Sequence, residues 1–326
     1  MKNILLMNFG GIGDEILFLP VVKSLKEEFS ESEITLILEP RSASIQALSD
    51  DINHIIKCDI KAGGFKKYLN VLKLIFEVRK NKYDFVIASG SSPLVAVLCF
   101  LFGVSKRYGY KSKTSFLHTQ AVELNKKQYA GNMYHDLIAP VSNKACALPQ
   151  ITLHANYEMP FAGEFVALHP GVSKMSVLKN MIKCPEASFW RELIEGILAK
   201  DKRVVLLGGP DDDEIISQIG NFESKNFYNL YGKTKNLQEL ASIISKSSAF
   251  ICADSAPMHI AVALNKNIFA IFGPTDDKKL IPNADNFKVI KGAKCDEKPC
   301  LWDRRQITCE SLDCLKIDPS EIISKI

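Results

Sequence analysis

No stretch of this sequence stays apolar long enough to cross a bilayer. The longest apolar run, LVAVLCFLFGV at 94–104, has 11 residues, where a helical span takes about 20. It predicts a buried helix instead. The N-terminus also lacks a charged segment followed by a long apolar one, which argues against a secretory signal. With nine cysteines and no such signal, reduced thiols in a cytoplasmic protein are expected. Strong charge of either sign is missing too. Forty-one Lys and Arg against 37 Asp and Glu leave +4, too little to point to nucleic acid, yet compatible with an anionic substrate or a membrane surface. There is no low-complexity segment and no short-period repeat. What is present is 326 residues of ordinary composition, 47% hydrophobic, long enough for two domains with their own cores.

Apolar β-like runs alternate with helical patterns. Strands are expected at 3–7, 33–39, 54–58 and 84–89, with helices over 14–29, 41–49 and 65–82. In 65–82, Leu69, Leu72, Ile75, Phe76 and Val78 mark an apolar face. A less regular stretch, 106–162, carries basic loops and a helix near 130–142. The rhythm then restarts, with strands at 164–170, 203–209, 226–232, 248–254 and 267–273 and helices at 186–200, 211–221, 236–246 and 255–265. This β-α-β-α order predicts an α/β chain of two Rossmann-like, doubly wound parallel domains facing each other across a cleft. The expected division is 1–160 and 161–326, with a Cys-rich segment at 295–314. Ligands are expected at the carboxyl ends of the strands.

The first chemical signal is NFGGIGDEILFLP, residues 8–20. Gly11 and Gly13 after a first strand, with Glu39 closing the second, imitate a dinucleotide fingerprint. Ile16 occupies the third glycine position, however, and Asp14 would repel a pyrophosphate at the same helix start. Asp14 could be a plain helix cap, but a cap needs no run of flexible glycines, and Pro20 interrupts the helix soon after. A carboxylate on a glycine-opened loop suits proton removal from an attacking hydroxyl. An oxidoreductase reading therefore ranks last.

The second signal is CADSAPMHIAVALNKNIFAIFGPT, residues 252–275. Asp254, Ser255 and Ala256 open a helix at Pro257, whose first turn suits an anion. His259 lies about one turn on and can face the same ligand.

Together, GGIGDEILFLP, LHPG, LLGGPDDDE and DSAPMHIAVAL…FAIFGPTD resemble glycosyltransferase family 9, the heptosyltransferase family of lipopolysaccharide synthesis, from residue 3 to about 319. The resemblance implies a GT-B fold and inverting, metal-independent transfer from a nucleotide-activated sugar, usually ADP-heptose, to a glycan or glycolipid acceptor. On that resemblance Asp14 matches the catalytic base. Asp254, Ser255 and Ala256 match the turn that binds the donor diphosphate, with Ala256 where the family commonly has Gly. His259 matches the histidine of the same motif. Asp212 falls where the family often has a Glu on the donor ribose, and Gly171 and Ser173 fall on the loop against the phosphates. The family's Lys-x-Trp-Pro pattern lacks its Trp here. Lys183 is nearest to the lysine slot and Lys179 is its rival for the leaving diphosphate.

Three further features complete the reading. The acids 211–213 could bind a metal, but a helix's first turn favours negative charge anyway. Cys295, Cys300, Cys309 and Cys314 are spaced C-x4-C-x8-C-x4-C. A structural Zn²⁺ or iron site, disulfides and free thiols all stay open for them, with no cofactor required for catalysis. The basic stretch SKRYGYKSK places Lys106, Arg107 and Lys111 where an anionic acceptor at the inner face of a membrane could bind. Gly11 and Gly13 belong to the same acceptor side. Two rival readings stand: a GT-B-fold sugar-nucleotide epimerase or hydrolase, and a non-catalytic nucleotide-sugar binding protein.

Overall fold

The computed structural model describes residues 1–301, 307 and 309–326. The chain forms two compact units, Met1–Thr152 and Leu153–Ile326. The division falls a few residues before 160 because the backbone N–H groups of His154 and Ala155 donate to the Gln238 side chain, and that of Tyr157 to Ser242. These bonds tie the connecting segment to the second unit.

In the first unit the strands are β1 (Asn3–Met7), β2 (Glu33–Leu38), β3 (His54–Lys57), β4 (Phe85–Ala88), β5 (Lys106–Tyr110) and β6 (Gln120–Val122). The helices are α1 (Ile12–Glu28), α2 (Phe65–Lys80), α3 (Pro93–Leu101) and α4 (Ala130–His135). The second unit contains β7 (Val166–His169), β8 (Val204–Leu206), β9 (Phe227–Asn229), β10 (Ala249–Ala253), β11 (Ile268–Ile271) and β12 (Phe287–Ile290). Its helices are α5 (Lys174–Leu178), α6 (Ala187–Ala199), α7 (Asp213–Ile219), α8 (Leu237–Lys246), α9 (Ala256–Ala263), α10 (Asp277–Leu280) and α11 (Ser320–Ile323).

Each unit has one six-stranded sheet, parallel throughout, in the order β3-β2-β1-β4-β5-β6 and β12-β11-β10-β7-β8-β9. Counted from each unit's own first strand, both are 3-2-1-4-5-6, the doubly wound order. In each, the winding reverses beside the first strand: between β1 and β4, and between β7 and β10. Crossovers leave that point in opposite directions, so the carboxyl edge there is open to a ligand. The central strands read as near-continuous apolar runs because helices cover both faces. Ile4, Leu5, Leu6 and Met7 are buried, as are Ala249 to Ala253.

Several sequence expectations are corrected. Residues 106–110 form a strand inside the stretch expected to be loops, and β12 was not anticipated. Residues 41–49 form a 3-10 segment, Pro40–Leu48. α1 begins at Ile12 and runs through Pro20 unbroken; the proline only withdraws one backbone donor. The apolar run 94–104 is half open, since Leu94, Phe100 and Leu101 are exposed.

The largest reversal is in α2. Leu74 and Val78 are buried against the sheet, whereas Leu69, Leu72 and Phe76 face solvent. The helix has apolar residues on both sides, so its pattern did not say which stripe points inward. Leu74→Ala should cost about 2–5 kcal/mol in a denaturant titration. Leu72→Ala should stay within about 0.5 kcal/mol of wild type. The opposite ranking would mean that the exposed stripe is the packed one.

Candidate active site

The loop after β1 carries Asp14. Gly11 is the N-cap of α1, so Asp14 is the third helical residue and not the cap itself. Its Oδ2 accepts the Gly11 N–H at 2.8 Å, which satisfies a helix-start donor. Its Oδ1 faces the Tyr134 hydroxyl at 3.4 Å. Tyr134 is set by α4, which packs on α1 with its ring edge-on to Phe18 at 5.6 Å. The glycine this geometry demands is Gly10, where a Cβ would lie 2.2 Å from the Asp14 Cβ. At Gly11 a Cβ would meet Asp14 only at 3.7 Å, an ordinary contact. Asp14 is thus both a helix-start partner and a half-exposed carboxylate with one oxygen turned away from the backbone.

Beside it lies a residue that the sequence reading passed over. Glu15 is 1% exposed. Its Oε2 accepts from the Asn8 amide at 3.1 Å, and Asn8 Oδ1 accepts from the Ser89 hydroxyl at 2.5 Å. This chain of bonds joins the ends of β1 and β4 at the point where the winding reverses. Burial pushes the Glu15 carboxyl up to about 8; Asn8's bond opposes this, and the Asp14 charge adds to it. Glu15 therefore keeps its proton at neutral pH and adds no second negative charge beside Asp14. A charged residue in the otherwise apolar EILFLPVV run was the available signal. Glu39, the imitation ribose acid, is ion-paired with Arg41 and Lys61, both at 2.7 Å.

The basic stretch divides. Arg107 Nε and Nη1 donate to the carbonyls of Leu117, Val104 and Ser105, so this guanidinium closes its own loop. Lys111 pairs with Glu123. Lys106 is exposed at the start of β5.

In the second unit the loops after β7 and β10 meet at the corresponding reversal. Asp254 is 3% exposed. Its Oδ2 accepts from Thr275 Oγ1 at 2.8 Å and from Lys183 Nζ at 3.2 Å, and its carbonyl accepts from Lys183 at 2.8 Å. Two of the ammonium's three donors are used there. Lys179 is exposed at the C-cap of α5, away from these bonds. Ser255 is the N-cap of α9 and donates to the Ala253 carbonyl at 3.3 Å. Ala256 is the first helical residue, and His259 is buried on the same helix. Thr275 was not singled out from sequence, although its Gly-Pro-Thr loop was.

Asp212, 5% exposed, is held by the backbone and a histidine. Its Oδ2 accepts the Gly209 N–H at 2.7 Å and lies 3.4 Å from His169 Nε2. Its Oδ1 would be 1.7 Å from a Cβ on Gly171, so only glycine fits at 171. Burial pushes His169 down and Asp212 up, each opposed by the other's charge. Ser173 caps α5 by accepting the Ser176 N–H. The triplet 211–213 diverges: Asp211 accepts from the Lys174 N–H and Asp213 from the Tyr231 hydroxyl, each at 3.1 Å. A cavity of about 680 Å³ in this unit is lined by six carboxylates, Asp211 and Glu186 among them, but only by Lys174 and Lys316 as cations. That balance disfavours a diphosphate.

No disulfide joins any of the nine cysteines in this structure. Burial raises Cys314, and Cys309, Cys300 and Cys295 add to the rise, with Lys298 opposing. The four thiols of 295–314 therefore share one electrostatic neighbourhood. Among the described residues no three His, Cys, Asp or Glu side chains form a group that could hold a metal; residues 302–306 and 308 of this segment lie outside the described residues.

Glu15 yields a signed prediction. Its folded carboxyl titrates above its ordinary value, so the native state holds a proton that the unfolded chain releases. Stability on this account is greatest below about pH 4.5 and falls as pH rises through about 8. Glu15→Gln keeps the shape without the titration. Relative to wild type, it should gain on the order of 2–4 kcal/mol between pH 5 and 8 in parallel denaturant titrations. A pH-independent difference would show that Glu15 is not held protonated.

Known proteins share this chain's sequence pattern and fold. Residues 71–309 match the family model of glycosyltransferase family 9 (heptosyltransferase). The chain is 29% identical over 286 residues to lipopolysaccharide heptosyltransferase 3 of Escherichia coli K12, covering 81% of this chain and 80% of that protein. The structure of E. coli ADP-heptose lps heptosyltransferase II shares the fold at a TM-score of 0.75 and 19% identity, over 100% of this chain and 97% of that one. The dodecameric, iron-containing heptosyltransferase TibC of E. coli shares it more distantly, at a TM-score of 0.60 and 13% identity, over 99% and 74%. Neither the epimerase or hydrolase reading nor the non-catalytic one is favoured by these relatives. The chain belongs to glycosyltransferase family 9, the heptosyltransferase family, and is a glycosyltransferase enzyme.

Proposed function

We propose that this enzyme transfers heptose from ADP-heptose to a lipopolysaccharide-type glycolipid with inversion at the anomeric carbon. The observation that carries this reading is the divided use of Asp14. One oxygen is pinned to the Gly11 N–H at 2.8 Å, while the other is directed to Tyr134 and away from the loop. A pinned carboxylate keeps its orientation while the remaining oxygen takes the acceptor's proton. The acceptor oxygen attacks the anomeric carbon, and the bond to the diphosphate breaks on the opposite side.

The second unit is assigned to the donor. Asp254 is not itself a phosphate ligand, since a carboxylate would repel one. It holds Lys183 at the start of α9, where the ammonium and the helix-start N–H groups oppose the charge that grows on the leaving diphosphate. Ser255, Ala256 and His259 complete this turn, and Gly171 and Ser173 supply the neighbouring loop after β7. The acceptor side belongs to the first unit, with the exposed Lys106 at the start of β5 as its basic-stretch residue. A lipid-borne acceptor brings the enzyme to the inner face of a membrane; among the described residues no helix is long and apolar enough to cross one.

No metal takes part in the transfer on this reading. A structural metal is a separate matter. Four soft thiolates suit Zn²⁺ or iron, and Cys295, Cys300, Cys309 and Cys314 would have to draw together to hold it, since as they stand among the described residues they form no metal-binding group. The Cys300 and Leu301 N–H groups donate to the Pro274 carbonyl at 3.0 and 3.1 Å, so a metal there would brace the loop that carries Thr275.

Asp14→Asn should retain ADP-heptose binding and lose roughly 10²–10⁴-fold in turnover. Lys183→Ala should lower kcat and weaken donor binding, while Lys179→Ala should do little, because a cation on the leaving group counts most in the transition state. Turnover of Asp14→Asn within a few-fold of wild type would leave Asp14 as a helix-start partner only. Silent Lys183→Ala with inactive Lys179→Ala would move the role to Lys179. For the thiols, elemental analysis should find near-stoichiometric zinc or iron that disappears in Cys300→Ser and Cys309→Ser. Metal-free, fully active protein would refute the site.

A further inference from the structure

The outer side of the first unit carries a feature that the transfer reaction does not use. On α2, Phe65, Tyr68, Leu69, Leu72 and Phe76 are all exposed, Phe65 by 73% and Phe76 by 65%. Phe65 with Tyr68 and Leu69, Tyr68 and Leu69 with Leu72, and Leu72 with Phe76 are each three or four residues apart, which puts all five on one stripe of the helix. The stripe lies opposite Leu74 and Val78, which are buried in the core beneath. An apolar stripe of this length on a free surface is unusual for a monomeric water-soluble protein.

The neighbouring helix extends it. α3 packs into the same core through Cys99, and the Arg79 guanidinium of α2 donates to the Leu101 carbonyl at the end of α3, at 2.8 Å. Leu94 and Leu101, one heptad apart, are exposed on α3, as is Phe100. Phe116, 79% exposed, sits on the short turn bonded to the start of α3 through Thr114 and Pro93.

Charge identifies the occupant. α2 carries Lys66, Lys67, Lys73, Arg79 and Lys80 against a single acid, Glu77. Lys66, Lys73 and Lys80 recur at intervals of seven and so form a row along one flank of the apolar stripe. A second copy of the chain in a symmetric contact would set these rows against each other, which costs energy. A soluble partner of mixed charge gives no reason for the row. An apolar stripe with aromatic residues, flanked by lysines, matches a bilayer interface with anionic headgroups.

We propose that the exposed α2 stripe, with Leu94, Phe100, Leu101 and Phe116 beside it, docks the first unit onto an anionic lipid surface. The rings and leucines enter the headgroup–acyl boundary, and the lysine row meets lipid phosphates. The helix stays packed on its own sheet and dips only its outer side. This names a docking site for the lipid-borne acceptor reading, and it rests on that reading for its purpose but not for its test.

The test is co-sedimentation of the full chain with phosphatidylcholine vesicles, with and without phosphatidylglycerol, in the absence of donor and acceptor. The wild type should bind the anionic vesicles, bind the neutral ones weakly, and release as salt rises. The double variant Leu72→Glu/Phe76→Glu should melt at the wild-type temperature and bind at least roughly tenfold more weakly. Its transfer to a delipidated, water-soluble acceptor should be unchanged. Absent binding to anionic vesicles, or equal binding by the variant, overturns the proposal whether or not heptosyl transfer is confirmed. A wild-type dimer in light scattering that the variant abolishes gives the surface to a second copy and also overturns it.

Discussion

In a parallel sheet all strands end on one edge, and the loops that leave this edge crowd one another unless the winding changes direction. Both sheets of this enzyme change direction beside their first strand, between β1 and β4 and between β7 and β10. The groups that can meet a ligand stand at those two places. In the first unit they are Asp14 and the buried Ser89–Asn8–Glu15 chain of bonds. In the second they are Lys183, Asp254, Ser255 and Thr275. The shared strand order accounts for a local likeness as well. Asp14 and Asp212 each fold back onto the N–H three residues earlier, at 2.8 and 2.7 Å. Asp212 is then sealed by His169 and Gly171, whereas Asp14 is left half-exposed. One backbone device thus gives a structural carboxylate in one unit and a chemically available one in the other.

Charge is distributed to match. Beside Asp14, burial keeps Glu15 neutral, so the loop that must receive a proton is not overloaded with negative charge. At the start of α9, the Asp254 carboxylate is spent on orienting Lys183 and Thr275. On the proposed reading, the cation and the helix-start donors are then what an anionic leaving group meets. Removal of a proton needs one arrangement and support of a departing diphosphate needs the other, and on the proposed reading each unit supplies one.

Much of this was legible in the sequence, for physical reasons. Buried parallel strands must be continuously apolar, so ILLM and AFICA announced themselves. An acid after a glycine run and a Ser-Ala-Pro helix start are chemically uncommon enough to be read alone, and together they carried the family resemblance. What escaped was decided by tertiary contact. KRYGY begins with two cations and reads as loop, but Arg107 discharges its donors into three carbonyls and the segment pairs as β5. Periodicity located a stripe on α2 without its direction, because both sides of the helix hold apolar residues. Spacing put Lys183 nearest to the lysine slot but, with the motif's Trp missing, kept Lys179 as a rival; the contact with Asp254 belongs to Lys183. The sequence reading did not mark Glu15 as buried; its surroundings did.

The account's central claim is a single displacement in which Asp14 deprotonates the acceptor while the diphosphate leaves from the opposite side. The anomeric configuration of the heptosyl product, read by NMR coupling constants against that of the ADP-heptose consumed, tests this most directly. The account predicts the opposite configuration in product and donor from the first turnover. Retention of the donor's configuration would require a second displacement or a front-side path, and would contradict it.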